Sequence, residues 1–181
     1  MTRDGDTTSI YRSALAAVQA RCGALDDARR NLSVLRDAGY SFPVGYAWTL
    51  GMSELAEAAD LTGDAKAGAH VVSECASYSG WLVVPGTTAV RPIDQVLAQA
   101  ALAAADAVDA EAHASRAVAA SRRHKTPAFL ARELVFLAES RRRLGAPSAE
   151  IATLVREALA VAEPFGIRVV ALDVERYRLP S

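Results

Sequence analysis

The chain has 181 residues, is 51% hydrophobic and 23% charged, and carries a formal net charge of −1. Such a composition excludes a disordered chain and leaves one domain, or one short repeat array, with a real core. Near-neutrality excludes a global field that recruits nucleic acid or anionic lipid. The polar start MTRDGDTTSI is not a signal peptide, and no apolar run approaches the roughly 18 residues of a membrane helix. The expected location is the cytoplasm, for a whole protein or a piece of one. Cys22 and Cys75 lie in helical segments without ligand-type spacing, so reduced thiols are expected, with no metal or cofactor.

In chain order, the first helical stretch carries Leu15, Ala16 and Val18. It breaks at RCGALDDARRNL from Arg21 and resumes with Leu32, Val34 and Leu35. The second pair holds Met52, Leu55, Ala56 and Ala59, breaks at LTGDAKAGAHVV from Leu61, and resumes with Val71, Val72 and Cys75. An outlier follows: YSGWLVVPGTTAVRP, residues 78–92, is apolar, Gly- and Pro-containing, and has Arg91 as its only charge. The third pair holds Leu97, Ala98 and Ala101, breaks at AAADAVDAEAHA from Ala103, and resumes with Ala114 and Val118. The fourth opens at Thr126-Pro127, a capping hydroxyl followed by a residue whose missing N–H costs nothing. It holds Leu134, Leu137 and Ala138, breaks at RLGAPSAEIATL from Arg143, and resumes with Leu154, Val155 and Leu159. IRVVALDVERYRL from Ile167 closes the chain as an amphipathic capping helix.

Apolar steps of three and four make one stripe per helix. The turns anchored on Gly23, Gly63, Ala105 and Gly145 recur at 40, 42 and 40 residues. Glycine closes a helix in the left-handed conformation, and Asp64 suits the start of the helix that follows. The spacing therefore predicts an all-α fold of antiparallel helix-pair repeats. It is a tetratricopeptide-like α-solenoid of about four repeats of about 40 residues plus a C-terminal capping helix, one domain over 1–181. The outlier is expected to fold back on the array as a brief hairpin-like excursion. Trp81 or Leu82 and alternate valines enter the seam, Pro85-Gly86 reverses the chain and Pro92 opens the next helix.

The segments WTLGMSELAEAADLTGDAKAGAHVVSECASYSGWLVV (48–84) and AEAHASRAVAASRRHKTPAFLARELVFLAESRRRLGAP (110–147) resemble the helical-repeat region of large bacterial, mostly actinobacterial, signalling regulators. The resemblance runs from about Tyr11 to Pro147. It rests on a Leu-Ala-Glu helix ending in Gly-Asp, a Tyr-x-Gly-x-x-Val-Val loop, an Ala-Glu-Ala-His helix and a Pro-x-x-Leu-Ala-Arg helix. In those regulators an ATPase module, sometimes preceded by an adenylyl cyclase domain, precedes the repeats, and many end in a LuxR-type DNA-binding domain. The chain departs from the pattern in a glycine-poorer loop, in Ala114 where an aromatic is common, and in Ala105 at the turn glycine. It contains no GxxxxGK[ST] and no recognisable helix-turn-helix, so the resemblance implies the repeat region alone.

No nucleophile elbow or acid–base constellation is visible, so the chain is not read as an enzyme. His70 and His113 share a register, but no Cys or carboxylate completes a metal site. The basic clusters Arg122, Arg123, His124, Lys125 and Arg141, Arg142, Arg143 lie at helix ends, where cations complement the dipole. In tetratricopeptide-like stacks the first helices line the concave face, and here they present Ser13, Arg21, Glu57, Asp60, Gln95, Gln99, Glu139 and Arg142 as a candidate interaction surface. Tyr78, Trp81 and Arg91 are the candidate residues of the loop. The expected role is non-catalytic: protein interaction or signal transmission within a transcriptional or cyclic-nucleotide signalling regulator. Its partner is a protein or another domain of the parent chain, not nucleic acid or membrane, and self-association is left open. The alternative is a small-molecule sensor with a pocket near residues 78–92.

Overall fold

The structure, a computed structural model, describes residues 8–43, 45–84 and 90–180, with only the backbone of Tyr46. The described residues form nine α-helices and a single two-residue strand pair, so the chain is all-α. It divides into two compact units, Met1–Ala105 and Asp106–Ser181.

The first unit holds α1 (Thr8–Arg21), α2 (Leu25–Asp37), α3 (Tyr46–Thr62), α4 (Ala65–Cys75), β1 (Leu82–Val83), β2 (Arg91–Pro92) and α5 (Ile93–Ala103). Helix α3 is its centre and packs on α1, α2, α4 and α5. Small side chains set the spacing. Along α1 the inward stripe is Ser9, Ile10, Ser13, Ala16, Ala17 and Ala20. Leu15 and Val18, expected in that stripe, stand about half exposed, as does Val34 on α2. The stripe runs through serines and alanines because α1 packs tightly on α3, a contact that large side chains would hold apart. Closer still is α4 against α5: a Cβ added at Gly68 would lie 2.5 Å from the carbonyl oxygen of Ala100.

The second unit holds α6 (Ala107–His124), α7 (Pro127–Arg143), α8 (Ser148–Ala162) and α9 (Arg168–Tyr177). Here α7 is central, touching α6, α8 and α9. The closing helix α9 packs on α7 and α8 with Val170, Val174 and Tyr177 buried.

The four turn positions behave alike. Gly23, Gly63 and Gly145 have φ of 81°, 72° and 82°, and Ala105 joins them at 62° although it carries a Cβ. Asp64 caps α4, its Oδ1 accepting from Ala67 N at 3.1 Å, and Asp106 caps α6 in the same way from Asp109 N at 3.0 Å. Helix α7 does begin at Pro127, but the Thr126 hydroxyl makes no bond into it and turns back to the Ser121 carbonyl at 3.4 Å.

Candidate functional site

Six of the eight polar residues expected to face solvent are buried: Ser13, Glu57, Asp60, Gln95, Gln99 and Glu139. Only Arg21 and Arg142 are exposed. The cause is coverage. Helices α3 and α7 have neighbours on most sides, so a side chain off the apolar stripe meets another helix rather than water. Burying such groups is tolerable only if they are hydrogen-bonded. The Ser13 hydroxyl donates to the Ile10 carbonyl at 2.8 Å, and Glu139 accepts from Arg142 at 2.7 Å and from Arg143 at 2.6 Å. The bond to Glu139 raises the Arg142 pKa above its ordinary value.

Five of the expected residues converge on one network in the first unit. Its hub is Arg91, 4% exposed, carried in by β2. Arg91 Nε donates to the Ser53 hydroxyl at 2.6 Å, Nη2 to the Ser53 carbonyl, and Nη1 to Gln99 Oε1 at 2.7 Å. Nη1 also lies 3.7 Å from Glu57 Oε2. Gln99 passes the connection on, its Nε2 donating to Asp60 Oδ2 at 3.0 Å. Arg21 closes the other end, its Nε donating to Glu57 Oε1 at 2.7 Å. The guanidinium thus spends its fork on a hydroxyl, a carbonyl and an amide, with a carboxylate balancing its charge.

The network tethers a hairpin. β1 and β2 pair antiparallel, Leu82 opposite Pro92 and Val83 opposite Arg91. Val83 is fully buried in the core of the first unit, whereas Trp81 is 65% exposed, and Leu82 and Val84 also stand exposed. The fold-back is real, but Trp81 and Leu82 are not what it buries: in a pleated strand a buried Val83 turns Leu82 and Val84 outward, and Trp81 lies just before the strand. Pro92 sits directly before α5, and the expected Pro85-Gly86 reversal lies outside the described residues. Asp94 in the first turn of α5, which the sequence did not single out, fixes the entry to the hairpin. Its Oδ1 accepts from the Ser79 hydroxyl at 2.9 Å and its Oδ2 from Gly80 N at 2.7 Å.

Beside the hairpin lies a cleft of about 390 Å³ lined by Tyr40, Phe42, Gly45, Trp48, Thr49, Met52, Glu74, Ser77 and Tyr78. Phe42, Met52 and Tyr40 are buried and form its floor; Ser77 and Tyr78 are exposed and form its rim. Trp48 and Tyr78 meet at 5.3 Å with planes tilted by 54°, and Tyr78 meets Trp81 edge-on at 5.7 Å. Burial raises the Tyr40 pKa, and Arg36 Nε reaches its hydroxyl at 3.4 Å.

The remaining candidates have local partners. His70 stacks on Tyr40 at 4.4 Å, and buried His113 lies 2.6 Å from Arg116. Arg122 pairs with Glu157, and Arg141 with Glu111 and Glu150. Cys22 is exposed, whereas burial, and next Glu74, push the Cys75 thiol up to about 12. Among the described residues no group of three or more His, Cys, Asp or Glu is placed to hold a metal, and no helix is long and apolar enough to cross a membrane. Compared with known proteins, the chain matches no family model, no curated protein and no solved structure.

Proposed function

We propose that the chain is a non-catalytic docking module whose helix pairs form a tetratricopeptide-like array. Its partner is a protein or another domain of the parent chain, in a bacterial transcriptional or cyclic-nucleotide signalling regulator. The observation that carries this reading is the outward apolar face of the hairpin: Trp81, Leu82, Val84 and Val90 stand exposed while Val83, Arg91 and Asp94 beneath them are buried. Contiguous exposed apolar side chains on a fixed support are what a docking surface needs, and they are a liability otherwise. The family resemblance supplies the regulatory setting. The test is a photo-crosslinking amino acid at position 81 in the native host, with a control at exposed Leu172. A protein adduct specific to position 81 and abolished by Leu82→Asp is expected. Equal adducts from both positions, or adducts indifferent to Leu82→Asp, would sink the docking reading.

The cleft favours a second reading, in which the chain senses a small molecule beside the hairpin. Its volume and its aromatic-rich lining are in the range of small-molecule sites. Screening a metabolite library by thermal shift is the test: a binder raises the melting temperature in a concentration-dependent way. A library that leaves it unchanged removes the second reading and keeps the first.

A further inference from the structure

We propose that the cleft of the first unit takes a small organic cation, a quaternary or protonated amine, a proposal that rests on the sensing reading. Among the described residues its lining contains four aromatic rings, Tyr40, Phe42, Trp48 and Tyr78, one charged side chain, Glu74, and neither Lys nor Arg. Arg36, which touches the Tyr40 hydroxyl, lies outside the lining and is paired with Asp64. Among the described residues no ion pair engages Glu74.

The ring geometry matters as much as the ring count. Trp48 and Tyr78, tilted by 54°, make a corner rather than a closed stack. A ligand seated there meets more than one ring. The face of an aromatic ring carries negative charge density, so each such contact attracts a cation and repels an anion. Glu74 has the same preference. A neutral apolar guest would satisfy the rings but strip water from a carboxylate and return nothing to it. An anion would oppose both. Only a cation is favoured by every element of the lining, and one with methyl or methylene groups around the charge also fits an apolar floor of Phe42 and Met52.

The chain has two tryptophans, so Trp81→Phe leaves Trp48, in the cleft wall, as the sole tryptophan reporter. Its fluorescence is titrated with choline and, separately, with 3,3-dimethylbutan-1-ol, the neutral carbon isostere of choline. Saturable quenching by choline is expected, about tenfold tighter than by the isostere, the scale of a cation–aromatic contact reinforced by a carboxylate. Glu74→Gln, checked for an unchanged helical spectrum, should weaken choline several-fold and leave the isostere where it was. Equal affinity for the two probes, or Glu74→Gln weakening both alike, overturns the cation assignment while leaving a cleft that binds small molecules. No saturable response to choline also overturns it; the sensing reading falls as well only if the metabolite screen is silent.

Discussion

Each unit carries one element that the helix-pair pattern does not supply: the hairpin in the first, α9 in the second. Both are fastened by a buried arginine, with opposite polarity. In the first unit the appended element brings the cation, Arg91, to Ser53, Gln99 and Glu57. In the second it brings the anion: Asp173 of α9 accepts from Arg132 of α7 at 2.7 Å. Helix pairs also share directional bonds, such as Arg21 to Glu57, but add broad packing through alanine stripes and the close approach at Gly68. Regular elements can rely on repeated close packing, whereas a single appended segment has little area and needs a directional bond to fix its register.

If that contrast is right, Arg91→Ala should be the most damaging change, destabilising by about 3–5 kcal/mol because Glu57 is left buried without its full complement. Arg132→Ala removes the bond to Asp173, which keeps a second arginine, Arg176, at 3.4 Å, and should cost about 2–3 kcal/mol. Urea unfolding of both variants would show it, and an Arg91→Ala effect no larger than that of Arg132→Ala would break the contrast. Next comes the apolar pin of the hairpin. Val83→Asp should cost about 3 kcal/mol by burying an unpaired charge, while Leu82→Asp should stay within about 0.5 kcal/mol and Trp81→Ala within about 1 kcal/mol. The same melts decide it.

The regular packing offers the smaller effects. Gly68→Ala drives a Cβ against the Ala100 carbonyl and should destabilise by about 1–3 kcal/mol, read as a lowered urea midpoint with unchanged slope. Ala105→Gly should raise stability by about 0.5–1 kcal/mol, since relief of the left-handed strain exceeds the added freedom of the unfolded chain. A loss at Ala105→Gly would mean that the methyl group packs well enough to offset its backbone strain.

The turns were legible in the sequence because each depends on one residue and its neighbours. Gly23, Gly63 and Gly145 are left-handed for a local reason, and Ala105 follows because the period places it at the same turn. The helix start at Pro127 was legible for the same reason. Burial of Glu57, Asp60 and Gln99 was not. Periodicity shows which residues share a helix face, but not how many faces the fold will cover. Glu57 and Asp60 are buried because α3 has neighbours on several sides, and Arg91, far along the chain, arrives beside Glu57 and Gln99, which in turn bonds Asp60. The hairpin was legible as an excursion, with one valine going in. Which of four consecutive apolar residues would be buried depended on strand phase, and that is set by the pairing of Val83 with Arg91. Asp94 looked like any acid in a first helical turn, and its bonds to Ser79 and Gly80 exist only once the hairpin has closed.

Three bonds of the Arg91 network share a length along the chain. Arg21 to Glu57, Arg91 to Ser53 and Gln99 to Asp60 span 36, 38 and 39 residues, each close to the spacing of the turns. None can form within a single helix pair, so a nascent chain gains nothing from them until the next pair has been made and has docked. In folding terms they are coupling between neighbouring helix pairs, adding to the interface between them and not to the intrinsic stability of any one pair. Coupling of that kind suppresses piecemeal fraying. Helices α3 and α5 should therefore open together, and their slowest-exchanging amides should report a single shared opening free energy rather than a gradient from one helix to the next.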